Sequence, residues 1–144
     1  MNTNIEYSIK DGYNEIDFDK VTDMLKDAFW SNGIKKKEVI QGAQNSALIV
    51  GAFTADNKQI GYSRVISDKT RFAYILDVIV NDKYRKQGIG QAMVSYILNH
   101  PDLKDVYQWV LITKDAHGVY HKVGFNPIAR PDDWMEIRYN RPDR

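Results

Sequence analysis

The spacing of apolar residues changes along the chain, and each change predicts a new element. Residues 4–10 alternate between polar and apolar positions and predict a short strand. Behind Asp17, a good helix-capping residue, Phe18, Val21, Met24, Leu25, Ala28 and Phe29 recur at three- and four-residue intervals. That predicts a helix ending near Trp30-Ser31-Asn32-Gly33, and residues 35–44 predict a second, shorter one. Residues 46–54, 59–67 and 72–80 are rich in β-formers. The polar turns Asp56-Asn57-Lys58 and Asp68-Lys69-Thr70 separate them, which predicts an antiparallel meander.

The pattern then returns to helical spacing. Ile89, Met93, Tyr96 and Ile97 share one face of a helix that Asn99-His100-Pro101 stops. Residues 106–113 predict a strongly apolar strand and residues 115–122 a short helix. Residues 125–128 and 134–139 predict a late hairpin. The order β-α-α-β-β-β-α-β-α-β-β implies a mixed α/β domain over residues 1–144. Its sheet is mostly antiparallel, with one parallel pair where a helix crosses between strands. It is not a doubly wound fold.

Composition acts mainly by exclusion. The chain has 144 residues, 43% hydrophobic and 27% charged, which fits one domain with a single core. A formal net charge of +1 lacks the Lys and Arg excess of a nucleic-acid binder, so neither a nucleic-acid partner nor a charged-RNA acceptor is expected. The Lys35-Lys36-Lys37 run reads as a solvated first helical turn. With no cysteine, disulfides, thiolate metal sites and a cysteine nucleophile are excluded. Residues 1–13 lack the apolar stretch of a signal peptide, and the longest apolar run, residues 47–53, is too short to span a bilayer. A soluble cytoplasmic protein without a membrane partner is expected.

The candidate chemistry lies where the meander gives way to a helix, in Tyr84-Arg85-Lys86-Gln87-Gly88-Ile89-Gly90-Gln91. Gly88 and Gly90 allow the backbone to come close to a ligand, and a helix N-terminus offers unpaired N–H donors and partial positive charge. Arg85 and Lys86 add full charges. Such a segment suits a pyrophosphate, or it is a glycine-rich turn that caps a helix. It is no dinucleotide fingerprint, because Met93 stands at the third glycine position, and no Gly-Lys-Ser/Thr follows as in a Walker motif. Gly61-Tyr62-Ser63-Arg64-Val65 lacks the final glycine of a serine nucleophile elbow.

Arg85-x-x-Gly88-x-Gly90 resembles the coenzyme A signature of the GNAT superfamily of N-acetyltransferases. Leu76-Asp77-Val78-Ile79-Val80 resembles that family's splayed fourth strand. Ala116-His117-Gly118-Val119-Tyr120-His121-Lys122-Val123-Gly124-Phe125 resembles its later Ala-x-x-x-Tyr-x-x-x-Gly-Phe element. The resemblance covers essentially the whole domain and implies acetyl-CoA as cosubstrate. It implies a pyrophosphate held by backbone amides of Arg85, Lys86, Gln87, Gly88, Ile89, Gly90 and Gln91. It also implies a pantetheine arm along Val78, Ile79 and Val80, where a backbone N–H would polarise the thioester carbonyl. The implied reaction is acetyl transfer to a primary amine of a small molecule or peptide, by direct attack in a ternary complex. The alternative is a non-catalytic acyl-CoA sensor.

Two proton tasks follow. Tyr120 matches the family tyrosine that protonates the departing thiolate, a task a phenol can perform because it titrates near about 10. Otherwise Tyr120 packs a short helix. Asp77 is a carboxylate among Ile, Leu and Val. It reads equally as a base, as an anchor for a cationic substrate, or as a structural partner of Arg64 or Arg71. Tyr74, Tyr84 and water-mediated deprotonation stand as alternatives for the base. His117 and His121 flank Tyr120, but no third ligand is near in sequence and no metal is expected. Trp30 falls where the resemblance implies a wall of the acceptor cleft, though a core tryptophan reads equally well. Trp109 and Trp134 read as core or dimer-contact residues, and by analogy alone the late strands suggest a homodimer contact.

Overall fold

A computed structural model of the chain describes residues 5–142. Its strands are β1 (Tyr7–Asp11), β2 (Leu48–Thr54), β3 (Gln59–Ser67), β4 (Phe72–Val80) and β5 (Gln108–Val110). Its α-helices are α1 (Phe18–Leu25), α2 (Lys36–Gln44), α3 (Ile89–Leu98) and α4 (His117–His121). The strands form one sheet in the order β1-β2-β3-β4-β5. β1 to β4 run antiparallel to their neighbours, and β5 lies parallel to β4 after the α3 crossover. This is the mixed sheet with one parallel pair that the sequence predicts.

Helices cover both faces of the sheet, which explains why β2 and β3 are buried almost throughout instead of alternating. On one face Ile89, Met93, Val94 and Ile97 of α3 pack with Val50, Ala52, Ile60, Val65, Ala73 and Ile75. On the other, Val21 and Leu25 of α1 and Val39 and Ala43 of α2 pack with Ile49, Phe53, Tyr62 and Ile79. Asp17 starts α1 as predicted, its carboxylate accepting from the N–H groups of Asp19 and Lys20 at 3.1 and 3.2 Å. Among the described residues no helix is long and apolar enough to cross a membrane.

Four predicted elements differ. The first strand is shifted towards Asp11, and its predicted start at Asn4 lies outside the described residues. α1 stops at Leu25, not near Trp30. The Ser31 hydroxyl takes the Leu25 carbonyl at 2.7 Å, and the Gly33 N–H takes that of Lys26 at 2.7 Å, so residues 26–33 close into turns. The predicted strand 106–113 shrinks to Gln108–Val110, because its parallel partner is followed only from Phe72 to Tyr74. The late hairpin does not form. Residues 125–142 contain no strand; Pro127 and Pro131 remove ladder donors, and a helical turn at Pro131–Asp133 interrupts the run.

Candidate functional site

β3 and β4 part company at one point. Tyr62 pairs with Ile79 and Arg64 with Leu76, so Ser63 alone opposes Asp77 and Val78. This is a β-bulge, and Asp77 sits in it with φ +56°, a left-handed conformation that aspartate tolerates better than most residues. The bulge re-aims the Asp77 side chain. One oxygen pairs with Arg64 Nε at 2.7 Å, and the other accepts from Trp30 Nε1 at 2.9 Å. The Arg64 and Asp77 side chains are only 19% and 11% exposed, so the pair is well shielded from water. The structure thus joins Trp30, Asp77 and Arg64, and Arg64 is the structural partner weighed for Asp77 from the sequence. With both carboxylate oxygens engaged, Asp77 is poorly placed to accept a substrate proton.

Beyond Tyr74, β4 has no pairing with β5, so one edge of Val78, Ile79 and Val80 borders the cleft between the two strands. The start of α3 comes back beside this strand end, where a Cβ built on Gly90 would make ordinary contact with Val78 Cγ1 at 3.7 Å and Val80 Cγ2 at 3.8 Å. Lys86 and Gly88 both take left-handed conformations, with φ +64° and +77°, and Gly88 caps α3 without any side-chain bond. Alternating left- and right-handed residues before a helix turn backbone N–H groups to one side, which makes an anion-binding concavity. The side chains are otherwise occupied. Arg85 pairs with Asp82 at 2.8 Å and donates to the Val80 carbonyl at 3.3 Å, while Gln87 Oε1 accepts the Ile5 N–H at 3.2 Å. Ile89 is buried in the core, and Gln91 is half-buried at the first turn of α3.

Tyr120 is half-buried on α4, edge-on to Phe125 at 6.3 Å, and packs against the same core cluster as Val78, Val80 and Tyr84. Burial, and secondarily the Asp115 carboxylate, push its phenol above the ordinary value. The proton is therefore held firmly through neutral pH. Tyr74, half-buried on β4, is raised chiefly by burial and then by Asp77, against the opposing fields of Arg64 and Arg138. His117 and His121 are exposed, and among the described residues no cluster of metal-ligating side chains occurs. Phe29 is 60% exposed beside Trp30, and sequence reasoning missed the two cations that meet it, Lys114 and Arg141. Nothing local in the sequence marks them, since the contacts come from distant segments.

Residues 46–127 match the family described as "Acetyltransferase (GNAT) domain". Among solved structures, the chain is similar to a protein from Xanthomonas campestris pv. campestris described as a GNAT-family acetyltransferase. The two share 32% identity with 96% of each chain covered and a TM-score of 0.85. It is also similar to a GNAT-family acetyltransferase from Streptococcus pneumoniae, with 26% identity, 95% and 100% of the two chains covered and a TM-score of 0.71. A protein from Clostridium acetobutylicum described as an acetyltransferase and solved with acetyl-CoA shares the fold. It shows 18% identity, coverage of 92% and 96% and a TM-score of 0.69. No match was found among the curated proteins.

Proposed function

Because the chain belongs to the GNAT family of acetyltransferases, we propose that it transfers the acetyl group of acetyl-CoA to a primary amine of a small molecule or peptide, by direct attack in a ternary complex. Acetyl-CoA is the cosubstrate and supplies the activated acetyl group. In this reading the backbone amides from Arg85 to Gln91 hold the pyrophosphate, with the left-handed Lys86 and Gly88 turning them towards it. Arg85 contributes by positioning the loop on the Val80 carbonyl. The open edge at Val78, Ile79 and Val80 takes the pantetheine arm, and a backbone N–H there polarises the thioester carbonyl. Tyr120 gives its proton to the departing thiolate.

Asp77 takes the role of organiser. It fixes the Trp30 ring and the Arg64 side chain at the mouth of the cleft, and the amine loses its proton to water. The observation that carries the reading is the left-handed turn at Lys86 and Gly88 that leads into α3 beside the end of β4, where β4 has no pairing with β5. Tyr120, packed in the cluster that holds Val78 and Val80, serves an enzyme as a proton donor and a non-catalytic acyl-CoA sensor only as packing, so turnover separates the two. The test is release of free thiol from acetyl-CoA with a panel of amines. Release with one amine class supports the enzyme; tight acetyl-CoA binding without release from any amine supports the sensor.

We assign the homodimer contact to the C-terminal tail. Met135, Ile137 and Tyr139 alternate in sequence with polar residues and are 96%, 83% and 84% exposed, apolar surface that a second copy would cover. Light scattering should give twice the chain mass, and Ile137→Asp should give the single mass at the same concentration.

A further inference from the structure

Two cations converge on one aromatic residue at the mouth of the cleft. Lys114, from the segment after β5, holds its ammonium 5.2 Å from the centre of the Phe29 ring. Arg141, from the C-terminal tail, donates from Nη1 to the Phe29 carbonyl at 2.8 Å. Phe29 in turn sits edge-on to Trp30 at 5.1 Å, and Trp30 is the residue bonded to Asp77. The chain of contacts runs from the two cations to the bulge beside Val78.

Neither Lys114 nor Arg141 forms an ion pair with a carboxylate among the described residues, so both charges are open to an anion from solution. Two nearby acidic groups are engaged elsewhere: Asp77 is held by Arg64 and Trp30, and Glu136 pairs with Arg138. Like charges brought to one residue repel each other, and a neutral ring and carbonyl offset only part of that. An anion between them would be bound by charge-assisted hydrogen bonds from both.

We propose that the acceptor is an amine that also carries an anionic group, a carboxylate or a phosphate, seated between Lys114 and Arg141 over Phe29 while the amine reaches towards the edge of β4. This rests on the acetyl-transfer reading above and names the substrate class for it. Attraction to the cleft then comes from the anionic end of the molecule, and the amine arrives by virtue of its tether.

The test uses the whole protein and three amines with a common chain: propylamine, 3-aminopropanoate and 3-aminopropyl phosphate. Thiol release gives kcat and KM for each, and calorimetry on protein saturated with coenzyme A gives binding independently of turnover. The expected result is a kcat/KM for at least one anionic amine about tenfold or more above that for propylamine, carried by KM. That ratio should shrink severalfold in Lys114→Gln and in Arg141→Gln, and also on raising the salt concentration. Preference for the carboxylate or for the phosphate identifies which anion is used. Equal or better use of propylamine overturns the proposal, as does a preference that neither substitution touches. If no amine is turned over, the calorimetric arm decides, and absence of binding by both anionic amines overturns it. Failure of acetyl-CoA to bind at all would instead sink the acetyl-transfer reading, so the two failures are distinguishable.

Discussion

The proposed cofactor side runs through neighbouring residues, from Val78 to Gln91, and works through the backbone. The proposed acceptor side is gathered from Trp30, Arg64, Asp77, Lys114 and Arg141, and works through side chains. On the first side the determining facts are φ values at Lys86 and Gly88 and the approach of Gly90 to β4. On the second they are an ion pair, an indole hydrogen bond and two cations on a phenylalanine. The difference teaches where each side is fragile. A backbone site tolerates changes of side-chain charge and fails on changes of conformation; a side-chain site does the reverse.

The largest effect should come from removing charge on the acceptor side. Asp77→Asn keeps a residue type that accepts the left-handed bulge, so it isolates the loss of charge from backbone strain. It leaves Arg64, 19% exposed, without its partner. The expected loss of stability is about 3 kcal/mol, towards the low end for breaking a shielded pair because some solvent reaches it. The melting temperature should fall by roughly 6–12 °C. Adding Arg64→Met should restore much of the loss, since the uncompensated charge is then gone. A fall in kcat with an altered pH profile at unchanged stability would make Asp77 the base instead and erase the distinction drawn here.

Tyr120 tests the seam between the two sides. Tyr120→Phe should lower kcat by about a hundredfold, the usual worth of a proton donor, while acetyl-CoA binds as before. The phenol is effective while protonated, and burial raises its pKa from the ordinary value. Activity that depends on it should therefore persist through neutral pH and decline only as pH rises beyond the usual phenol range, near about 10. A kcat unchanged in the variant would reduce Tyr120 to packing against Phe125.

The contrast between the sides also explains what could be read from the sequence. The boundaries of β3 and β4 follow from β-rich runs closed by polar turns, and α3 follows from its apolar stripe and its Pro101 stop. The loop with Gly88 and Gly90 is legible because its determinants are consecutive. Asp77 stands out as a carboxylate in an apolar strand, but the reason for it lies 13 residues away at Arg64 and 47 away at Trp30. Phe29 and Arg141 are 112 residues apart, and no local pattern links them. The helix end at Leu25 was hidden for a related reason. Phe29 continues the apolar spacing, yet the Ser31 hydroxyl captures the Leu25 carbonyl and turns the chain. The late hairpin fails because alternation along residues 134–139 supplies a strand pattern without a strand partner.

The smallest effects should come from the cofactor loop, and they should differ between two glycines that look alike in the sequence. Nothing lies within 4 Å of a Cβ built on Gly88, so space is no obstacle there; its φ of +77° is. Gly88→Val should cost about 1–2 kcal/mol of backbone strain or move the loop to escape it. Acetyl-CoA affinity, measured by calorimetry, should fall about tenfold. Gly88→Asn should fall less, because asparagine visits the left-handed region more readily. Gly90 has the opposite character. It is helical, and an added methyl would meet Val78 and Val80 at ordinary contact distance, so Gly90→Ala fits the space, and alanine favours the helix. It should change affinity by less than about threefold, and its stability should rise slightly. If Gly90→Ala instead abolished binding while Gly88→Val did not, the grip would depend on clearance above α3 and not on the conformation that turns its amides. The backbone account of the cofactor side would then give way.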